Sequence, residues 1–135
     1  YGFIKTNMPK IISFIRLTFF SSIVVTSVFS FISIDQDLAK FLLQDKLLHM
    51  ATFSFITFFA YASKFDVNRF VILLGLIFYG LLIEIIQNYL SYRNFELLDL
   101  LFDIFGVLLG YLSWKYLKKI YPSYWFILIS PQLNF

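Results

Sequence analysis

Cysteine is absent from the 135 residues, which excludes disulfides, thiolate metal sites and a thiol nucleophile. Charge is scarce too. Only 14% of residues are Asp, Glu, Lys or Arg, where an ordinary soluble domain carries roughly 25%. Glycine and proline number 5 and 3, and no Gly/Ser linker, internal repeat or low-complexity tract divides the chain. Its length suits one domain, residues 1–135. What is abundant is apolar: 60% of residues are hydrophobic, with 19 Phe and 9 Tyr. A small soluble core cannot bury that many rings, so lipid is the implied solvent and membrane lipid the first implied partner. The net charge of +3 does not point to nucleic acid, because the basic residues stand singly at the ends of apolar runs, the pattern that orients membrane helices.

Four runs approach the ~20 residues needed to cross ~30 Å of hydrocarbon. They are 11–34, 45–62, 70–90 and 97–117, and they define an all-α polytopic bundle of about four transmembrane helices. The first is interrupted by Arg16, close enough to the end to snorkel. It is too long for a secretory signal core and lacks a small-x-small cleavage pattern, so it reads as a retained anchor. Met8-Pro9-Lys10 resembles a natural start, with Tyr1 to Asn7 as leader or expression remnant. A last apolar stretch, Tyr124 to Ile129, is too short to span and reads, within 121–135, as an interfacial tail. Trp114, Tyr116, Tyr121, Tyr124 and Trp125 form an expected aromatic belt, with Lys115, Lys118 and Lys119 beside it as an orientation signal.

Lys and Arg counting sets the orientation. Lys5, Lys10, Arg16, Lys64, Arg69, Lys115, Lys118 and Lys119 share one side, against Lys40, Lys46 and Arg93 on the other. Both termini are therefore expected in the cytoplasm.

Polar residues inside the runs fall on single helix faces. Asp45, His49 and Thr52 follow at i, i+4, i+7, and Gly80, Glu84 and Gln87 at i, i+4, i+7. Glu96, Asp99, Asp103, Gly106 and Gly110 follow at i, i+3, i+7, i+10, i+14, and Arg93 lies in the short loop between the third and fourth helices. Every polar stripe thus points to the extracytoplasmic end. Ionised groups inside a bilayer cost ~2.5–3.5 kcal/mol or more and face a bundle interior or a wet cavity. Gly106-x-x-x-Gly110 and Gly80 permit close helix approach.

These blocks resemble the VanZ-like family. The resemblance lies in Asp45-Lys46-x-x-His49 opening a helix, Glu84-x-x-Gln87, Arg93, and Asp99-x-x-x-Asp103-x-x-Gly106-x-x-x-Gly110. It spans about residues 45–110. These are small bacterial membrane proteins whose namesake is tied to resistance to the glycopeptide teicoplanin, so the resemblance implies a cell-envelope membrane protein. The family usually shows Asn where this chain has Asp103.

Several chemistries fit the same residues. His49, the single histidine, could be a base, a metal ligand or a structural hydrogen-bonding group. Glu84, Asp99 and Asp103 could serve acid–base chemistry, bind a cation, or join a structural network with Arg93 and Lys46. Asp99 could also cap the fourth helix. Counting Asp45, Glu84, Glu96, Asp99 and Asp103 against Lys46 and Arg93 leaves an acidic surplus. Some acids must then be protonated, exposed or matched to a cation. Asp103 is the first choice for protonation, donating a hydrogen bond as Asn would. No Walker loop, dinucleotide motif, nucleophile elbow, zinc signature or haem ligand pair is present, and neither a cofactor nor a metal is expected, His49, Glu84, Asp99 and Asp103 being the candidate ligands if one binds. A single cluster at one end also leaves little for a transporter, which needs access from both sides.

The leading expectation is a binder of an amphiphile: a lipid headgroup, a lipid-linked precursor or a lipoglycopeptide. Asp45, Lys46, His49, Glu84, Gln87, Arg93, Asp99 and Asp103 would line its site. The alternatives are a membrane enzyme acting on a lipid-linked substrate, with His49 as base, and an accessory subunit of a larger membrane assembly.

Overall fold

In hydrocarbon no water satisfies backbone N–H and C=O groups, so apolar runs of this length fold as helices. The computed structural model describes residues 2–32, 42–91 and 96–122, with side chains described for 9–32, 46–91 and 96–122. Four helices fill them: α1 (Gly2–Phe31), α2 (Leu42–Ala62), α3 (Arg69–Asn88) and α4 (Leu97–Ile120). Arg93, the side chain of Asp45 and the tail beyond Pro122 lie outside the described residues. So do Tyr124 and Trp125 of the expected belt.

Apolar stretches of α1, α3 and α4 are long enough to cross a membrane. Helix α2 matches them in length at 21 residues, but Gln44, Asp45, Lys46 and His49 dilute its first turns. It is nonetheless the centre of the bundle. Its most extensive contact is with α4, and Phe53, Ile56, Thr57, Ala60, Tyr61 and Ala62 are all buried. Helix α1 is peripheral, with no buried residue among its described side chains.

The helix limits differ from the apolar runs for local reasons. Helix α1 begins at Gly2 and continues through Pro9. Proline's fixed φ is helical, and the lost hydrogen bond and ring crowding stay local to the preceding turn, so polarity delimits a span without delimiting a helix. At α3 the Asn68 side chain accepts from the Phe70 N–H at 2.9 Å, an N-cap. Helix α4 extends to Ile120, three residues past the expected end. It stops there because Pro122 disfavours the α conformation at Tyr121, whose φ and ψ are −116° and 59°.

The α2–α4 seam is made by glycines. A Cβ on Gly106 would collide with the Met50 carbonyl and lie 2.9 Å from Phe53 Cβ. One on Gly110 would collide with the Ser54 carbonyl and lie 2.8 Å from Thr57 Cβ. The two helices therefore meet backbone to backbone.

At the end away from the polar stripes, the exposed Arg16 reaches across to the end of α2. Its Nε donates to the Ser63 carbonyl at 3.0 Å and its Nη2 to the Lys64 carbonyl at 3.1 Å. The expected snorkelling residue thus satisfies carbonyls left open where α2 ends. Trp114 also departs from its expected place in the belt. It is buried against Tyr61 and Tyr111, with the cations of Arg69 and Lys118 over its ring. Tyr116 and Tyr121 are exposed.

Candidate functional site

Helical periodicity carries the polar residues to one end of the bundle, and packing turns them inward. On α4 the buried residues are Asp99, Asp103, Gly106, Val107, Gly110 and Trp114, the face that the sequence stripe marks. On α3, Gly80, Glu84 and Gln87 are buried together.

The cluster has two layers. Nearer the helix ends, Lys46 Nζ donates to Asp99 Oδ1 at 2.7 Å and to Glu96 Oε2 at 2.9 Å. Lys46 is therefore engaged by two carboxylates, and Asp99 serves as its partner. Asp99 also stands in the first turn of α4, where the expected dipole contact holds. The N-cap is Glu96, whose N–H points to Glu84 Oε2 of α3 at 3.4 Å. Glu84 thus takes the place of the acid that would reach back in a capping box, and its carboxylate meets the positive end of the α4 dipole.

Deeper in the bundle, His49 Nδ1 and Asp103 Oδ1 are 2.9 Å apart. Glu84 and Asp103 are 0% and 1% exposed. One oxygen of each, Glu84 Oε1 and Asp103 Oδ2, has no hydrogen-bond partner. His49, Glu84 and Asp103 each offer a ligand atom within 4.8 Å of the others, a grouping capable of holding a metal ion. Gly80 makes the room for this layer: a Cβ there would sit 3.1 Å from Asp103 Oδ2 and 3.2 Å from the Phe53 ring.

Gln87 faces away from the cluster. Its Nε2 donates to the Ser30 carbonyl of α1 at 2.9 Å, and on the same side Ser27 Oγ lies 2.9 Å from Tyr79 Oη. Between α1, α2 and α3 is an open cavity of about 380 Å³. Val25, Phe29, Leu48, Phe53 and Ile83 make its apolar walls, and Ser30, His49, Thr52 and Gln87 its polar side. His49 belongs to both places, lining the cavity and meeting Asp103.

The contribution of α1 was not legible as a motif. Ser27 and Ser30 stand at i, i+3 among the several Ser and Thr residues of α1, a spacing that marks one helix face. That faint signal is the one available for their role. Among the expected site residues, Lys46, His49, Glu84, Asp99 and Asp103 come together, with Gln87 at the margin.

Fold and cluster together define a polytopic helical membrane protein with a buried acid–histidine cluster at one end. The chain belongs to the VanZ/LLP1 family, whose model matches residues 3–119. That match reaches well beyond residues 45–110, taking in α1 and nearly all of α4. No curated protein and no solved structure matches the chain.

Proposed function

We propose that this chain is a bacterial cell-envelope protein of the cytoplasmic membrane, with both termini cytoplasmic, and that it binds an amphiphile at its extracytoplasmic end. The observation that carries this reading is the cavity between α1, α2 and α3. About 380 Å³ lies within the range of small-ligand sites, which are mostly apolar with a few placed polar groups. The apolar walls suit a hydrocarbon chain. Ser30, His49, Thr52 and Gln87 offer hydrogen-bonding groups to a head. A lipid, a lipid-linked cell-wall precursor and a lipoglycopeptide share that chemistry. Lys46 is held by Asp99 and Glu96, so the head is read by the cavity's own polar groups more than by that ammonium.

Native mass spectrometry of the full chain, purified in mild detergent, tests this. One retained amphiphile per chain is expected, and Val25→Phe combined with Thr52→Phe should displace it while the helical content stays intact. Undiminished binding by that variant would remove the cavity from the reading. A stoichiometric protein partner with no amphiphile would replace it with an accessory role. Reporter fusions at Phe135 and between Ser91 and Asn94 test the orientation, and an extracytoplasmic carboxyl end would reverse it.

A further inference from the structure

We infer that His49, Glu84 and Asp103 form a binding site for one divalent cation of the borderline first-row class, Mn2+ or Zn2+, buried between α2, α3 and α4. This goes beyond amphiphile binding and does not depend on it.

Two unpartnered oxygens carry the argument. Glu84 Oε1 and Asp103 Oδ2 are both enclosed and both lack a hydrogen-bond partner. Buried polar atoms are almost always satisfied, and each exception calls for a cause. A proton alone would be a poor one. A proton neutralises a carboxyl but gives neither oxygen the hydrogen-bond partner it lacks. A cation needs only lone pairs, which both oxygens present.

The separation also fits. Ligand atoms ~2.0–2.2 Å from one ion lie at most ~4.4 Å apart, and the ligand atoms of His49, Glu84 and Asp103 lie within 4.8 Å of one another. Side-chain rotations of a few tenths of an ångström close that difference. The charge fits as well, since two carboxylates and an imidazole ligand with a dication sum to zero, whereas without a cation the two carboxylates have only the α4 N-terminus and the His49 ring against them. Lys46 does not compensate them, because Asp99 and Glu96 occupy its ammonium.

Donor type selects the ion. Carboxylates suit Mg2+, Ca2+ and Mn2+, imidazole suits Zn2+ and its neighbours, and a mixed set points to Mn2+ or Zn2+. Three protein ligands leave further coordination positions for water or a ligand head. Gly80 provides the space in which the Asp103 carboxylate stands.

The test uses the full chain in mild detergent, stripped with EDTA and titrated with Mn2+ while free ion is followed by electron paramagnetic resonance. One ion per chain is expected, displaced by Zn2+, with a nitrogen coupling in the pulsed spectrum that disappears in His49→Gln. Glu84→Gln and Asp103→Asn should each weaken binding by roughly tenfold or more, while Asp66→Asn, in the exposed α2–α3 connection, leaves it unchanged. Circular dichroism and size-exclusion profiles identify any variant that fails to fold. The wild-type titration stands without them: no saturable 1:1 binding of either ion at millimolar concentration overturns the site. Binding that survives all three ligand substitutions overturns it equally.

Discussion

Gly110→Ala is the smallest change that tests how this bundle is held together. A single methyl group at that position would drive into the Ser54 carbonyl and lie 2.8 Å from Thr57 Cβ. Backbone cannot rotate away as a side-chain tip can, so α2 and α4 must separate by on the order of 1 Å. A gap of that size forfeits a quarter to a half of each dispersion contact along the seam, and overpacking of this kind costs about 1–3 kcal/mol. Taking about 2 kcal/mol, the unfolding equilibrium shifts by about 30-fold. Gly106→Ala meets the Met50 carbonyl in the same way and should cost about as much. The double variant should cost less than the sum, because one separation relieves both clashes. Gly75→Ala is the control: nothing lies within 4 Å of its Cβ, and alanine favours a helix by up to about 1 kcal/mol over glycine. Reversible unfolding in mixed detergent–dodecyl sulfate micelles measures all four, with the fluorescence of buried Trp114 as probe. If Gly110→Ala and Gly106→Ala match Gly75→Ala in stability, the seam is not a backbone contact and the reasoning fails. Leucine at either seam glycine should lower folded yield far more than Leu108→Ala, whose side chain is exposed.

The Lys46 ion pairs and the Lys64 amine provide two further tests. Lys46→Met strands the buried Asp99 carboxylate and should destabilise by about 3 kcal/mol or more. Adding Asp99→Leu should recover most of that loss, and a Lys46→Met loss too small to resolve in the same unfolding assay would mean the pair is solvated. Lys64, in the α2–α3 connection, has its pKa lowered to about 8 by burial and then by the nearby Lys118 cation. Its folded value lies below its unfolded one, so wild-type stability should rise as pH climbs from about 8 toward 10.5. Lys64→Gln lacks that gain. Its stability advantage at pH 7 should therefore shrink by pH 10, and a gap that stays constant would show the amine to be solvated.

Composition and periodicity determined a good deal here. A chain this poor in charge and rich in rings has lipid as its solvent, and runs of about 20 apolar residues can satisfy their backbones in lipid only as helices. The 3.6-residue period then placed Asp99, Asp103, Gly106 and Gly110 on one face of α4, and that face is the buried one. What periodicity cannot carry is the rotation of one helix against another, because lipid and protein are equally apolar neighbours for a Leu or a Phe. Tertiary packing therefore decided that Lys46 is bound by Asp99 and Glu96 and that Glu84 serves the start of α4. It also decided that the Arg16 side chain and the Ser30 carbonyl tie α1 to the rest. Pairings of this kind depend on distances across the bundle, and a linear pattern records only distances along it.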